Sequence, residues 1–396
     1  MQPLAAAVSR LGTETAFEVL ARAHALQAKG KSIINLGIGQ PDFPTPFHIV
    51  EAAVKALRDG HHGYTPANGI PELRQAVAAS LEAYAGAPLD PGRVIVVPGG
   101  KVTMFFAITL FGEAGAEILY PNPGFPIYES VIRYSGAKAI PLPLHESHGF
   151  AFSAEEVLER ITERTRLIIL NSPANPTGGV TPKQELDRLV EGLEAWPQVT
   201  VLSDEIYGQM LYDGLTHVSL LSYESLRDRV ILLDGASKTY AMTGWRLGYG
   251  YWPEKLVEPA VRLAVNSFSC VNAAAQWAGI AALEGPQDAV REMVAAFDER
   301  RRTIVAGLNQ IEGVSCVTPG GAFYAFPNIR GTGMTSKELE QALLEEAGVA
   351  TIAGTSFGVE GEGYLRLSYA NSLENIKAAL ERIGNWLSER RSSDIP

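Results

Sequence analysis

From about residue 93 the chain repeats one pattern: a short apolar run without polar alternation, then a loop rich in Gly, Pro, Asn or Asp. Val94-Ile95-Val96-Val97 runs into Pro98-Gly99-Gly100-Lys101, and Glu117-Ile118-Leu119-Tyr120 into Pro121-Asn122-Pro123-Gly124-Phe125. Leu167-Ile168-Ile169-Leu170 meets Asn171-Ser172-Pro173-Ala174-Asn175-Pro176-Thr177-Gly178. Val199-Thr200-Val201-Leu202 precedes Ser203-Asp204-Glu205-Ile206-Tyr207, and Val230-Ile231-Leu232-Leu233 precedes the loop that holds Lys238. Strands buried on both faces read as unbroken apolar runs, and this requires helices on both sides of a parallel sheet. Helical stretches between the runs, such as 182–194, supply the crossovers. The pattern predicts an α/β fold: a large domain with a mainly parallel central sheet flanked by helices. Ligands of such sheets bind beyond the carboxyl ends of the strands, and the chemically distinctive residues of this chain stand there.

A second compositional region begins after Glu284-Gly285-Pro286 with a long polar helix, Gln287 to Gln310. Gly320-Gly321-Ala322-Phe323-Tyr324-Ala325-Phe326, a helix at 336–347 and the strand-like Gly363-Tyr364-Leu365-Arg366-Leu367-Ser368-Tyr369 follow. This predicts a smaller α+β domain with its boundary near residue 285. Ahead of the sheet, residues 14–29 place Phe17, Leu20, Ala21, Ala25 and Ala28 at helical spacing.

Four kinds of group carry chemistry: an amine, donors for a phosphate, a buried carboxylate and a buried arginine. Lys238 follows a buried run, close in sequence to Arg246; a desolvated lysine near another cation has a depressed pKa and can join a carbonyl carbon. Arg246, with its forked donors, suits a phosphate, and so does Gly99-Gly100-Lys101, which opens an apolar helix whose free amides favour an anion. Asp204 sits directly after a buried strand, where a lone carboxylate is costly without a partner. Arg366 interrupts an apolar strand and needs an anion. A phosphorylated aldehyde with a protonatable ring nitrogen uses the first three together, and pyridoxal 5'-phosphate is that molecule. Gly39, in the loop Gly37-Ile38-Gly39-Gln40-Pro41, permits close backbone approach to a ligand.

The run Ser237-Lys238-Thr239-Tyr240-Ala241-Met242-Thr243-Gly244-Trp245-Arg246-Leu247-Gly248-Tyr249 resembles the cofactor-lysine signature of the class I and II aminotransferases, pyridoxal phosphate enzymes of fold type I. The similarity extends from about residue 10 to about residue 385. It implies that Lys238 is the Schiff-base lysine and proton shuttle, with Asp204 on the ring nitrogen. Asn175 and Tyr207 then face the phenolic oxygen, Phe125 stacks on the ring, and Ser237, Arg246, Gly100 and Lys101 hold the phosphate. Gly39, Phe125, Asn175 and Arg366 belong to the substrate side, with Arg366 forked onto the α-carboxylate. Tyr64 resembles the tyrosine that reaches the cofactor phosphate of a neighbouring subunit, so a homodimer with shared active sites is implied. The resemblance also packs the N-terminal residues with the small domain, giving 46–285 as the large domain and 1–45 with 286–396 as the small one. The implied activity moves an amino group from an L-amino acid to a 2-oxo acid by a ping-pong route; a β-lyase or synthase on the same scaffold is the alternative. One departure is Gly235, where many relatives carry a phosphate-binding serine, and weaker cofactor binding is expected from it.

A formal net charge of −11 argues against a nucleic-acid surface. Cys270 and Cys316 lack any metal-binding or redox spacing and read as reduced packing residues. Without an apolar run of membrane-spanning length or a leader-like start, the expectation is a cytoplasmic protein with no membrane partner. The adjacent pair His61-His62 is poorly spaced for one metal ion. Substrate choice stays open: the helix from Val102 to Gly112 carries no cation for an acidic side chain, and Phe17, Phe125 and Tyr128 suit an aromatic one equally well.

Overall fold

The computed structural model of the chain describes residues 4–393. Among them, twelve strands sort into three sheets. Strand β1 (Ile34–Asn35) follows the helix Thr15–Ala28. The central sheet contains β2 (Val94–Val97), β3 (Glu117–Asn122), β4 (Lys138–Pro143), β5 (Thr165–Asn171), β6 (Thr200–Asp204), β7 (Val230–Gly235) and β8 (Gly248–Tyr251). Its spatial order is β2-β8-β7-β6-β5-β3-β4. From β7 across to β4 every pairing is parallel, while β8 runs antiparallel to both β7 and β2. The mainly parallel sheet expected from the apolar runs is therefore the sheet found, and each run supplies one strand.

Alternate residues of those runs serve opposite faces. Val94, Val96, Ile168, Leu170, Val201 and Leu232 pack with the helices Pro71–Ala85, Lys183–Gly192 and Ala273–Glu284. Ile95, Val97, Leu167, Ile169, Leu202 and Ile231 pack with Lys101–Phe111, Ile127–Ser135 and Glu254–Ser267 on the other face. Each such side chain contributes about 1.5–3 kcal/mol on burial, so a slip of register is costly on both sides.

Two strands lack the apolar signature. β4 is an edge strand, and an edge tolerates Pro141 and Pro143 because the missing amide faces no ladder. β8 alternates glycine with tyrosine because the start of the helix Lys101–Phe111 lies against it. A Cβ on Gly248 would stand 2.3 Å from the Gly100 amide nitrogen.

The remaining strands are β9 (Tyr324–Ala325), β10 (Val349–Ala350), β11 (Ile352–Ala353) and β12 (Leu365–Ser368). β1 pairs with β10 in parallel, and β11-β12-β9 forms an antiparallel sheet. They enclose a second core in which Ile34 and Leu36 meet Phe297, Phe323, Val349, Leu367 and Ile376. The long polar helix runs Asp288–Leu308; its buried Arg301 is neutralised by Asp213 and Asp298, each at 2.7 Å. The helix expected at 336–347 is Ser336–Ala342, opened by a Thr335/Glu338 capping box and continued as a wider turn over Leu343–Ala347. The last helix is continuous over Leu373–Ser393, although the polar run Arg390 to Pro396 reads from sequence as a frayed end; residues 394–396 lie outside the described residues, as do residues 1–3 of the start.

The helix Thr15–Ala28 corrects one inference from spacing. Its buried residues are Val19 and Ala23, whereas Phe17 is 60% exposed. Phe17, Leu20 and His24 face a cavity instead of the core. Among the described residues no helix is long and apolar enough to cross a membrane.

Candidate active site

That cavity, about 770 Å³, opens at the carboxyl ends of β5, β6 and β7, against the start of the helix Lys101–Phe111. It gathers Gly39, Gly100, Lys101, Phe125, Asn175, Asp204, Tyr207, Ser237, Lys238, Arg246 and Arg366, every residue singled out from the sequence except Tyr64.

Lys238 sits in the short helix Ala236–Thr239 that directly follows β7, and its ammonium donates to the Gly39 carbonyl at 2.5 Å. Burial is the main reason its pKa is held down at about 8. Arg366 and Arg246 depress it further, against an opposing pull from Glu14 and Asp204. Asp204 closes β6, and burial pushes its carboxyl up to about 6. Two donors limit that rise: the Tyr128 hydroxyl at 2.6 Å and the Ile206 amide at 3.3 Å.

A polar chain links Asp204 to Arg366. The Asn171 side-chain amide donates to the Asp204 carbonyl at 3.0 Å, and the Asn175 amide donates to Asn171 Oδ1 at 2.9 Å. Arg366 in turn donates to Asn175 Oδ1 at 3.0 Å and to the Gly37 carbonyl at 2.5 Å. Its guanidinium lies between the rings of Tyr324 and Phe357, 4.6 and 4.7 Å from their centroids. Its Nε is buried without a partner. An unmet donor on a buried guanidinium is costly unless an anion completes it.

Tyr207 and Tyr324 share a hydrogen bond between hydroxyls at 2.8 Å. Gly39 is needed beside them, since a Cβ there would stand 2.3 Å from the Tyr324 hydroxyl oxygen. On the opposite wall, Gly100 precedes the helix Lys101–Phe111 with no side-chain cap; the Val102 and Thr103 amides already bond the Gly99 and Gly100 carbonyls, so the Gly100 and Lys101 amides are the ones left for a ligand. Arg246 donates to the Thr243 carbonyl at 2.8 Å and crowds Gly99, where a Cβ would meet the guanidinium at 2.1 Å. Ser237 is buried alongside. Lys101 lends its backbone to this cradle, but its ammonium turns away, pairing with Glu14 and lying 5.4 Å from the Phe125 ring centroid. Tyr64 is 95% exposed and takes no part in the cavity of its own chain.

Comparison with known proteins decides the family. Residues 31–383 match the family described as Aminotransferase class I and II. The chain belongs to that family. It is 37% identical to an aspartate aminotransferase of Geobacillus stearothermophilus over 98% of this chain and 99% of that one. It is 38% identical to aromatic-amino-acid aminotransferase 2 of Thermococcus litoralis over 91% and 93% of the two chains. The crystal structure of the aspartate aminotransferase from Rhizobium meliloti superposes with a TM-score of 0.93 at 34% identity, covering 98% of this chain and 99% of that one. The chain is thus a pyridoxal phosphate-dependent aminotransferase of fold type I, and the β-lyase alternative has no support among these relatives.

The residues present fit the cofactor of this aminotransferase. A cradle of helix amides, Ser237 and Arg246 offers donors for a phosphate, a buried carboxylate with no cation of its own awaits a ring nitrogen, and a desolvated amine lies between them. Among the described residues no cluster of His, Cys, Asp and Glu could hold a metal ion.

Tyr128, Tyr324 and Glu14 were not assigned these places by sequence reasoning. Tyr128 was legible only as an aromatic and Tyr324 only as a member of the run Gly320-Gly321-Ala322-Phe323-Tyr324-Ala325-Phe326. The need of Asp204 for a donor was the one signal pointing toward the hydroxyl of Tyr128. Glu14 had no signal beyond opening the helical stretch 14–29.

Proposed function

We propose that this aminotransferase takes the α-amino group of an L-amino acid of the aspartate, glutamate or aromatic kind and passes it to a 2-oxo acid at the same cavity, in ping-pong order. The observation that carries this reading is the convergence of Lys238, Asp204 and an Arg366 with an unpartnered buried Nε on one cavity. Relatives bearing both aspartate and aromatic names support the two donor classes.

In this reading Gly100, the Lys101 amide, Ser237 and Arg246 hold the phosphate, Phe125 lies on the ring, and Asn175 and Tyr207 face its phenolic oxygen. When bound, the cofactor withdraws electrons from the amino acid joined to it and so acidifies the Cα proton. Asp204 holds a proton on the ring nitrogen and thereby strengthens that pull. Arg366 clamps the α-carboxylate with two parallel donors, which fixes the Cα–H direction. Lys238, with a pKa near 8, would accept the proton from Cα and return it to the aldehyde-derived carbon of the cofactor.

The test is a spectral one. Purified holoenzyme is scanned through the near-ultraviolet and visible, then mixed with single L-amino acids and no acceptor. The cofactor band should bleach with one equivalent of 2-oxo acid released; a Lys238→Ala protein that bleaches equally would overturn the role of Lys238.

A homodimer in the cytoplasm, with Tyr64 of each chain reaching the other's cofactor phosphate, belongs to the same proposal. The full exposure of Tyr64 and the two unpaired cysteines support it, and a solution mass of one chain would overturn the dimer. The second core, which draws in Ile34 and Leu36, supports a small domain of 1–45 with 286–396 beside a large domain of 46–285.

A further inference from the structure

Three cations of the cavity have tasks in the proposed reaction: Lys238, Arg246 and Arg366. Lys101 is left over, and the structure gives its ammonium a carboxylate partner, Glu14. Glu14 precedes the helix Thr15–Ala28 but caps none of its amides, so the carboxylate is committed to Lys101. Glu14 is partly buried, with 18% of its side chain exposed, while the Lys101 side chain is 45% exposed. The pair lies inside the active site: Glu14 lines the cavity and its charge is felt at Lys238, Tyr324 and Arg366. The same cavity carries the apolar side chains of Phe17, Leu20, Ile38, Phe125 and Phe357, alongside the polar ones of His24 and Gln40.

We infer that Glu14 is a specificity-determining residue: by neutralising Lys101 it biases the side-chain subsite toward uncharged, apolar or aromatic amino donors and against donors with a second carboxylate. This rests on the aminotransferase reading and narrows its substrate class. A second carboxylate that sought Lys101 would have to displace Glu14 or share one ammonium with it, and two carboxylates at one cation repel. An aryl or alkyl side chain meets no such opposition and gains contact with Phe17, Leu20 and Phe125. Discrimination of this kind comes from the repulsive element as much as from the attractive one.

The test compares wild-type holoenzyme with Glu14→Gln, Glu14→Asp and the double variant Glu14→Gln/Lys101→Gln. Two readouts are taken: kcat/KM of the half-reaction with L-aspartate and with L-phenylalanine, and the Kd of two unreactive acids, succinate and 3-phenylpropionate, by calorimetry. Glu14→Gln is expected to raise the aspartate-to-phenylalanine ratio about tenfold, equivalent to ~1.4 kcal/mol. Succinate should tighten by a similar factor relative to 3-phenylpropionate. Glu14→Asp should stay near the wild type, and removing Lys101 as well should abolish the gain. A ratio that stays within about twofold of the wild type in both readouts, or that moves toward phenylalanine, overturns the role of Glu14. Wild-type enzyme that converts no amino acid overturns the aminotransferase reading instead, so the two failures are distinguishable.

Discussion

Replacing Tyr128 by Phe removes one hydroxyl and little volume from a fully buried position, and the hydroxyl it removes is the 2.6 Å donor to Asp204. A hydrogen bond to a charged group is worth about 1.5–3 kcal/mol, and each 1.36 kcal/mol is about one pKa unit. The Asp204 carboxyl of the cofactor-free protein, already lifted to about 6 by burial, should therefore rise by about one to two units in the variant. Near pH 7 the wild type is then about nine-tenths ionised, and the variant between about one-half and one-tenth. If the cofactor requires the ionised carboxyl, its apparent affinity at that pH falls about two- to tenfold, in proportion to the competent fraction. Near pH 9 both proteins are almost wholly ionised and the gap closes to about 10% or less. The assay is titration of cofactor-free protein with pyridoxal phosphate at several pH values, followed by the absorption band. A loss of the same size at every pH would refute the reasoning, because it would mean that Tyr128 only fills space.

Arg366→Lys keeps the charge but loses the fork, so KM for the amino donor should rise about 10- to 100-fold, with kcat falling less; an unchanged KM would remove Arg366 from the substrate side. Burial and the nearby Glu205 push the Asp234 carboxyl up to about 7. A carboxyl whose folded pKa exceeds its unfolded one loses stability as pH rises from about 4 to about 7. Asp234→Asn, which keeps an acceptor for the Gly235 amide, should accordingly melt above the wild type near pH 8 and show no advantage near pH 4, about the unfolded carboxyl value; equal differences at both would sink the argument. Gly235→Ser should lower the melting temperature without tightening cofactor, because its Cβ would stand 2.8 Å from Gly248 Cα and 3.0 Å from the Leu247 carbonyl. Tighter cofactor binding in that variant, at an unchanged melting temperature, would restore the expectation that a serine is what this position lacks.

The central sheet was legible because a strand buried on both faces has no choice but to be apolar throughout, and five such runs announce themselves. β8 was not, because its glycines are dictated by what packs on them, and Gly100 is remote in sequence from Gly248. The site was legible where one residue's chemistry is incomplete by itself. A carboxylate at a buried strand end and an arginine inside an apolar strand each demand a partner wherever they occur, and Asp204 and Arg366 share a cavity. Residues that complete another residue gave no such signal. Tyr128 is an ordinary aromatic until the helix Ile127–Ser135 turns its hydroxyl to Asp204, and Glu14 is an ordinary acid before a helix until folding sets it on Lys101. Lys101 shows the limit best: its place after Gly99-Gly100 is a property of the sequence, while the direction of its ammonium is a property of the fold.

The charges to which the proposed reaction gives ligands also act, after burial, on the proton affinity of Lys238. Arg366 and Arg246 both depress it, while Glu14 and Asp204 act in the opposite sense. In the proposed reaction an anion bound at Arg366 would cancel part of that depression, so a substrate carboxylate there would raise the affinity of Lys238 for a proton at the moment one must be taken up. A site of this kind couples binding to base strength with no movement of the fold, through Coulomb interactions in a desolvated cavity. The coupling also determines which substitution is informative. An alanine at position 366 would remove the fork and the charge together and shift Lys238 as well. Lysine retains the charge and leaves the base near its wild-type strength, so a rise in KM there reports the lost geometry of the arginine fork alone.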